Sequence, residues 1–157
     1  HPTLRRQRQM CIRDSKKVEH LFQCFYSENS LVAMRAMNGV KRIIKDDKKV
    51  FLKNKDRFLN QFSNSKHNVV KLGLITIYFD FLNHFEEKEV SKIKVIVLNW
   101  TKNSSDWMIL AQGMKLLEKL SKSDKSLKLK LIEVAKRLKN DERKVVRTKA
   151  QKILEDN

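Results

Sequence analysis

Apolar residues recur at helical spacing through most of the chain, in blocks separated by short polar clusters. The clusters contain Ser, Asn and Asp, which cap helix N-termini by accepting hydrogen bonds from backbone N–H groups. Glycine occurs at only three positions, and the only proline is Pro2, so long helices are permitted. The pattern predicts an all-α fold of about eight helices, at roughly 16–27, 29–45, 48–62, 66–85, 88–102, 104–121, 125–139 and 141–155.

One segment is ambiguous when it is read alone. The run "LGLITIYF" from Leu72 to Phe79 is rich in β-branched and aromatic residues, which favour strands. Its alignment with the helical segments on either side predicts a helix instead.

The helical segments repeat along the chain. Segments that start at Asn29, His67 and Ser105 align at a period of 38 residues. In this alignment, one position of the repeat is predicted to hold Val32, Val70 and Met108. A second position is predicted to hold Met34, Leu72 and Leu110. Two helices at this period are typical of an α-solenoid, in which antiparallel helix pairs bury their apolar faces by stacking. We therefore expect residues 16–157 to form one helical-repeat domain.

The last segment carries a recognisable pattern. "DERKVVRTKAQKIL" resembles the first helix of a HEAT repeat through Asp141, the pair Val146-Arg147, Ala150 and Leu154. Together with "SSDWMILAQGMKLL" from Ser104, it is also similar to the C-terminal half of small, uncharacterised prokaryotic HEAT-like (armadillo-like helical) proteins. This resemblance implies that the second helix of each pair, at 48–62, 88–102 and 125–139, lines a concave surface that binds a partner.

Residues 1–15 differ from the remainder in composition. The stretch "RRQRQMCIRDS" from Arg5 to Ser15 resembles the translation of an adapter used in transposase-based sequencing libraries. We therefore exclude residues 1–15 from functional reasoning. We expect the authentic sequence to start near Lys16 and to be truncated there, so that an unknown length of its natural N-terminus is missing.

The remaining chain is strongly basic. The whole sequence has 35 Lys and Arg against 18 Asp and Glu; without residues 1–15 these become 31 and 17, a net charge of +14. Such a charge attracts nucleic acid, anionic membranes or acidic proteins, although an AT-biased genome also produces lysine-rich, soluble helices. Cys24 is the only cysteine outside residues 1–15, so a disulfide framework is excluded and a cytoplasmic location is expected. No apolar run has the roughly 20 residues that a membrane span requires.

Two sets of residues are candidates for a site. The second helices carry basic residues that are predicted to form a partner-binding groove: Lys49, Lys53, Arg57, Lys88, Lys92, Lys128 and Lys136. The second set is Trp100, Asp106 and Trp107 in "WTKNSSDW". These residues are similar in type to the aromatic and acidic residues of HEAT-like DNA alkylation repair glycosylases, which use them to handle a damaged base. The simpler interpretation of Asp106 is a helix cap, and of Trp107 a neighbour of the core residue Met108.

No other constellation of reactive side chains is recognisable. His20 and Cys24 share a helix face, but two ligands are too few for a structural metal site. We therefore predict no catalytic residues, no metal and no cofactor. The leading hypothesis is a non-catalytic module that binds a protein partner; the alternative is a nucleic-acid-binding solenoid with a basic groove.

Overall fold

The structure is a computed structural model, and it describes residues 15–157. The adapter-like residues 1–14 lie outside the described residues. Within 15–157 every regular element is helical, which confirms the all-α prediction and its eight helices. The segment Leu72–Phe79 is helical, as its alignment predicted. The helices are α1 (15–24), α2 (Ser30–Asp46), α3 (Lys48–Asp56), α4 (Asn68–Asp80), α5 (Glu87–Asn103), α6 (Trp107–Ser121), α7 (Lys125–Leu138) and α8 (Lys144–Glu155).

Short helical turns of other types follow two of the α-helices. A π-helical turn at Arg57–Gln61 and a 3₁₀ turn at Phe62–Asn64 follow α3. A 3₁₀ turn at Leu82–His84 follows α4. We call α2, α4, α6 and α8 the first helices and α3, α5 and α7 the second helices.

The polar clusters between segments supply the caps that were predicted. The Asn29 side chain accepts the N–H of Leu31, and the Asp47 side chain accepts the N–H of Lys49, at 2.9 and 3.1 Å. Asp124 accepts the N–H of Leu127 at 3.0 Å. Each such bond satisfies a backbone donor that has no partner within its helix, and so fixes where the helix begins.

The residues aligned at a period of 38 do not share one environment. Val70 is fully buried, whereas its supposed equivalents Val32 and Met108 are 39% and 40% exposed. Similarly, Met34 is exposed while Leu110 is buried. Helices α4 and α6 begin 39 residues apart, so a period of 38 places Met108 and Leu110 one residue out of register with α4, which turns their side chains by about 100°. Helices α2 and α4 begin 38 residues apart, as predicted, but they bury different positions.

The correct alignment follows the buried positions. The N-caps of α2 and α6, Asn29 and Asp106, are 77 residues apart. At this spacing the buried side of α2 matches the buried side of α6 position by position, with Ala33, Ala36, Met37, Val40 and Ile44 equivalent to Leu110, Gly113, Met114, Leu117 and Ser121.

The described chain divides into two compact units, residues 15–73 and 74–157. The first unit contains α1 to α3 and the start of α4, and its core is aromatic. Phe22 and Phe62 have ring centroids 4.8 Å apart, and Phe25 meets Phe62 edge-on at 5.0 Å. Phe58 also packs against Phe22 and Phe62, so that this core joins α1 to the end of α3.

The second unit contains the remainder of α4 and α5 to α8, and its core is mainly aliphatic. Helix α6 packs against α5, α7 and α8, while α5 also contacts α7. The first helices α6 and α8 thus form one layer of this unit, and the second helices α5 and α7 form the other. Gly113 permits the close approach of α5 and α6, because a Cβ there would lie 2.5 Å from Cγ2 of Thr101.

Candidate partner-binding face

Two aliphatic side chains on α5 and α7 are strongly exposed. Val95 is 70% and Leu129 67% exposed, the highest values among the large apolar side chains of residues 15–157. Both lie opposite the buried side of their helices. On α5 that side is formed by Ile93, Val97 and Trp100, and on α7 by Leu127, Leu131 and Val134.

A shallow groove runs between these two helices. It has a volume of about 230 Å³. Helix α5 contributes two polar and two apolar side chains, and the α7 side contributes mainly polar ones. The lining residues are Ser91, Lys94, Val95, Leu98, Asp124, Ser126, Leu127 and Lys130.

Polar contacts join α5 to the α7 side. Among the residues that line the groove, Lys94 Nζ lies 2.9 Å from Asp124 Oδ2. The pKa of Asp124 is lowered, first by the hydrogen bond from the Leu127 N–H and then by Lys94. Beyond the residues that line the groove, the Arg137 guanidinium donates to the carbonyl oxygens of Lys102, at 2.8 Å, and of Thr101. Helices α5 and α7 are therefore joined by the protein's own side chains on two levels.

The face formed by α5 and α7 is basic. The two helices carry nine Lys or Arg residues against three Glu, a net charge of +6. The predicted groove residues on these helices, Lys88, Lys92, Lys128 and Lys136, are all exposed. Lys136 lies 3.4 Å from Glu133, an exposed pair that contributes little to stability.

In the first unit, the structure gives one predicted groove residue a different role. Arg57 binds both carboxylate oxygens of Glu19, with Nη1–Oε2 and Nη2–Oε1 distances of 2.7 and 2.9 Å. Its guanidinium also lies over the rings of Phe22 and Phe62, at 4.8 and 5.1 Å from their centroids. The hydrogen bond between them raises the pKa of Arg57 and lowers that of Glu19. Arg57 therefore joins α1 to the end of α3, and its donors are already occupied.

The other predicted groove residues of the first unit, Lys49 and Lys53, are exposed. They line a cavity of about 370 Å³ between α1 and α3, together with Val18, Val50 and Asn54. The Glu19–Arg57 pair forms part of the same wall.

The second candidate set is not assembled as a base-handling site. Trp100 is buried in the core of the second unit, so its ring cannot stack on a base. Asp106 is the N-cap of α6, and its Oδ1 accepts the N–H groups of Met108 and Ile109 at 2.9 and 3.1 Å. Trp107 is exposed, and it lies beside the exposed Met108 rather than beside a core residue.

The sequence reasoning missed Val95 and Leu129, although a signal for Leu129 was present. In α7, Leu127 and Leu131 are four residues apart and share the buried face, so the intervening Leu129 points away from it. In α5 the buried Ile93 and Val97 exclude Val95 in the same way. An apolar residue midway between two core positions of a helix was therefore the sequence signal for an exposed apolar side chain.

Residues 15–157 contain no group of three His, Cys, Asp or Glu side chains that could hold a metal ion. In the same range, none of the helices combines the length and the apolar character needed to cross a bilayer. No protein-family model, curated protein or solved structure matches the chain.

Proposed function

We propose that the chain is a non-catalytic, HEAT-like α-solenoid module whose second helices bind a protein partner. The layered packing of residues 74–157 supports the repeat, since α6 lies beside α8 and α5 beside α7. Similar hydrogen bonds occur between successive first helices within each unit. Arg143, the N-cap of α8, donates to the carbonyl of Ser105 just before α6. In the first unit, His67 just before α4 donates to the carbonyl of Ser27 near the start of α2, at 2.6 Å.

The observation that carries the binding function is the exposure of Val95 and Leu129 on the two helices that form the groove. Burying an aliphatic side chain of this size contributes about 1.5–3 kcal/mol. A partner that covers both therefore gains several kcal/mol from contacts that the isolated chain leaves unused. Apolar residues surrounded by polar ones are characteristic of protein interaction surfaces.

A nucleic-acid partner is the second candidate, because the face is basic. Binding of single-stranded nucleic acid relies on aromatic side chains on which bases stack. The aromatic residue of α5 and α7, Trp100, is buried, and the side chains that are exposed beside the lysines are aliphatic. This composition favours a protein partner.

Site-specific photo-crosslinking in an extract of the source cells tests the function. A crosslinking amino acid is placed at position 95 or 129, and at position 145 as the control, since Val145 is 53% exposed but lies on α8 in the other layer. We expect the same protein to be captured from positions 95 and 129 and not from 145. The captured protein is then purified and titrated with the chain, and replacing Val95 and Leu129 by Ser should weaken binding at least about tenfold.

Two outcomes would overturn the proposal. One is an absence of protein adducts specific to positions 95 and 129. The other is binding to duplex DNA tighter than roughly micromolar at physiological salt, with the steep salt dependence of many phosphate contacts.

A further inference from the structure

We infer that the groove between α5 and α7 accepts an acidic polypeptide segment with aliphatic side chains at its centre. This inference rests on the proposed function and names the chemistry of the partner. It combines three features of the groove: its charge, the position of its apolar residues, and the contacts that join its two helices.

Charge selects an acidic partner. Of the nine basic residues on α5 and α7, Lys94 is neutralised by Asp124 and Arg137 is bound to backbone carbonyls. Exposed lysines remain on both helices, with Lys88 on α5 and Lys128 and Lys130 on α7. Lys130 also lines the groove itself. Carboxylates on a bound segment would meet positive charge from both helices, which accelerates association and disfavours basic or neutral competitors.

The apolar residues select aliphatic side chains at the centre of that segment. Val95 and Leu98 form the α5 wall, and Leu127 lies at the base of the α7 side. Leu129 does not line the groove itself; it is exposed on α7, one residue before the lining residue Lys130. Aliphatic side chains on a partner can bury these surfaces, whereas phosphates and sugars cannot. The apolar residues of the groove therefore disfavour nucleic acid, although its positive charge alone would attract it.

The size of the face sets the length of the segment. Helices α5 and α7 contain 17 and 14 residues, which corresponds to lengths of about 25 and 21 Å. A bound helix of about 14–16 residues would match this length. Because the Lys94–Asp124 and Arg137 contacts already join α5 and α7, less ordering is needed before binding, and the associated free-energy cost is reduced.

Three labelled peptides test the inference by fluorescence anisotropy with the full chain. Each has about 16 residues, the length of a helix of roughly 24 Å. The first is rich in Glu and carries leucines at helical spacing, the second replaces those leucines by glutamine, and the third replaces its glutamates by lysine. Duplex DNA of similar charge is the fourth probe. We expect the first peptide to bind at least about tenfold more tightly than the second, a difference of about 1.4 kcal/mol. The third should show no measurable binding.

Variants then locate the binding site. Val95→Ser and Leu129→Ser should each weaken binding of the first peptide by several-fold or more, and Lys130→Glu should weaken it and reduce its salt dependence. Val145→Ser and Lys144→Glu are the matched controls on α8, and they should bind like the wild type. All five positions are exposed, so circular dichroism should show unchanged folding.

The outcomes separate this inference from the function on which it rests. Equal binding of the first two peptides, preference for DNA, or no binding of the first peptide overturns the inference. If the protein captured from positions 95 and 129 still binds the purified chain, and binds it more weakly after Val95 and Leu129 are replaced by Ser, the binding function stands and only the acidic chemistry is wrong. If both experiments fail, both proposals are wrong.

Discussion

Replacing Gly113 by Ala should destabilise the second unit, because α5 and α6 approach each other too closely there for a side chain. The added Cβ would lie 2.5 Å from Cγ2 of Thr101, and Thr101 is fully buried. Thr101 cannot rotate away freely, since its hydroxyl donates to the carbonyl of Leu98 at 2.9 Å. Its own carbonyl is held by Arg137.

The magnitude follows from two opposing effects. Forcing a methyl group into a packed core costs about 1–3 kcal/mol. Replacing glycine by alanine within a helix returns about 1 kcal/mol. We therefore expect Gly113→Ala to lower the free energy of unfolding by up to about 2 kcal/mol, which corresponds to a fall in Tm of up to roughly 8 °C for a chain of this size.

Denaturant unfolding followed by circular dichroism measures this effect, with Gly39→Ala as the control. A Cβ at Gly39 would meet only the flexible end of Leu21, at 3.3 Å, so this change should be neutral or stabilising by up to about 1 kcal/mol. Thr101→Ser removes the methyl group that causes the clash, and it should restore part of the stability lost in Gly113→Ala. Equal effects of the two glycine substitutions, or no coupling between positions 113 and 101, would refute the close packing of α5 on α6.

Three further predictions concern polar contacts. Asp106→Ala removes the cap of α6 and should lower the free energy of unfolding by about 1 kcal/mol. If Asp106 served only to bind a partner, the substitution would leave the stability unchanged. Glu19→Gln weakens the contact with Arg57. Because this pair is partly exposed, we expect the free energy of unfolding to fall by only about 0.5–1 kcal/mol, and by less in high salt. A loss of stability that does not depend on salt would contradict an ion pair. The Arg143 side chain lowers the pKa of Asp141 to about 2, so the stabilisation from this carboxylate is present above the ordinary pKa near 4 and is lost as the pH falls through 2. The difference in Tm between wild type and Asp141→Asn should therefore shrink from pH 4 to pH 2, and a constant difference would disprove it.

The sequence was sufficient to predict the helices because their signals are local. Apolar spacing and capping residues such as Asp47 and Asp124 act within one or two turns, and the structure uses them as caps. Even the strand-like Leu72–Phe79 segment was assigned to a helix, because its neighbours in the repeat outweighed its own composition.

The register failed because size and burial do not coincide in α2. Its buried side is built partly from Ala33 and Ala36, while the larger Val32 and Met34 are exposed. Reading large apolar residues as core therefore selected the wrong face. The spacing between caps, which follows backbone hydrogen bonds rather than side-chain size, was the better guide.

The candidate site was only partly accessible from sequence, because contacts distant in the chain decide which groups are available. Lysines such as Lys88 and Lys128, which the sequence offered as groove residues, are exposed on second helices. The pairing of Arg57 with Glu19, 38 residues away, leaves no local pattern. The burial of Trp100 likewise depends on how α5 packs in the second unit.

The most direct test of the binding face is the solvent accessibility of individual methyl groups, measured by NMR with a soluble nitroxide. In the free chain, the methyl signals of Val95, Leu129 and Val145 should all be strongly broadened, while those of the buried Val97 should not. After addition of the acidic, leucine-containing peptide, we expect Val95 and Leu129 to become protected and Val145 to remain broadened. Protection of Val145 instead, or no change at Val95 and Leu129 when the peptide is bound, would contradict a binding face formed by α5 and α7.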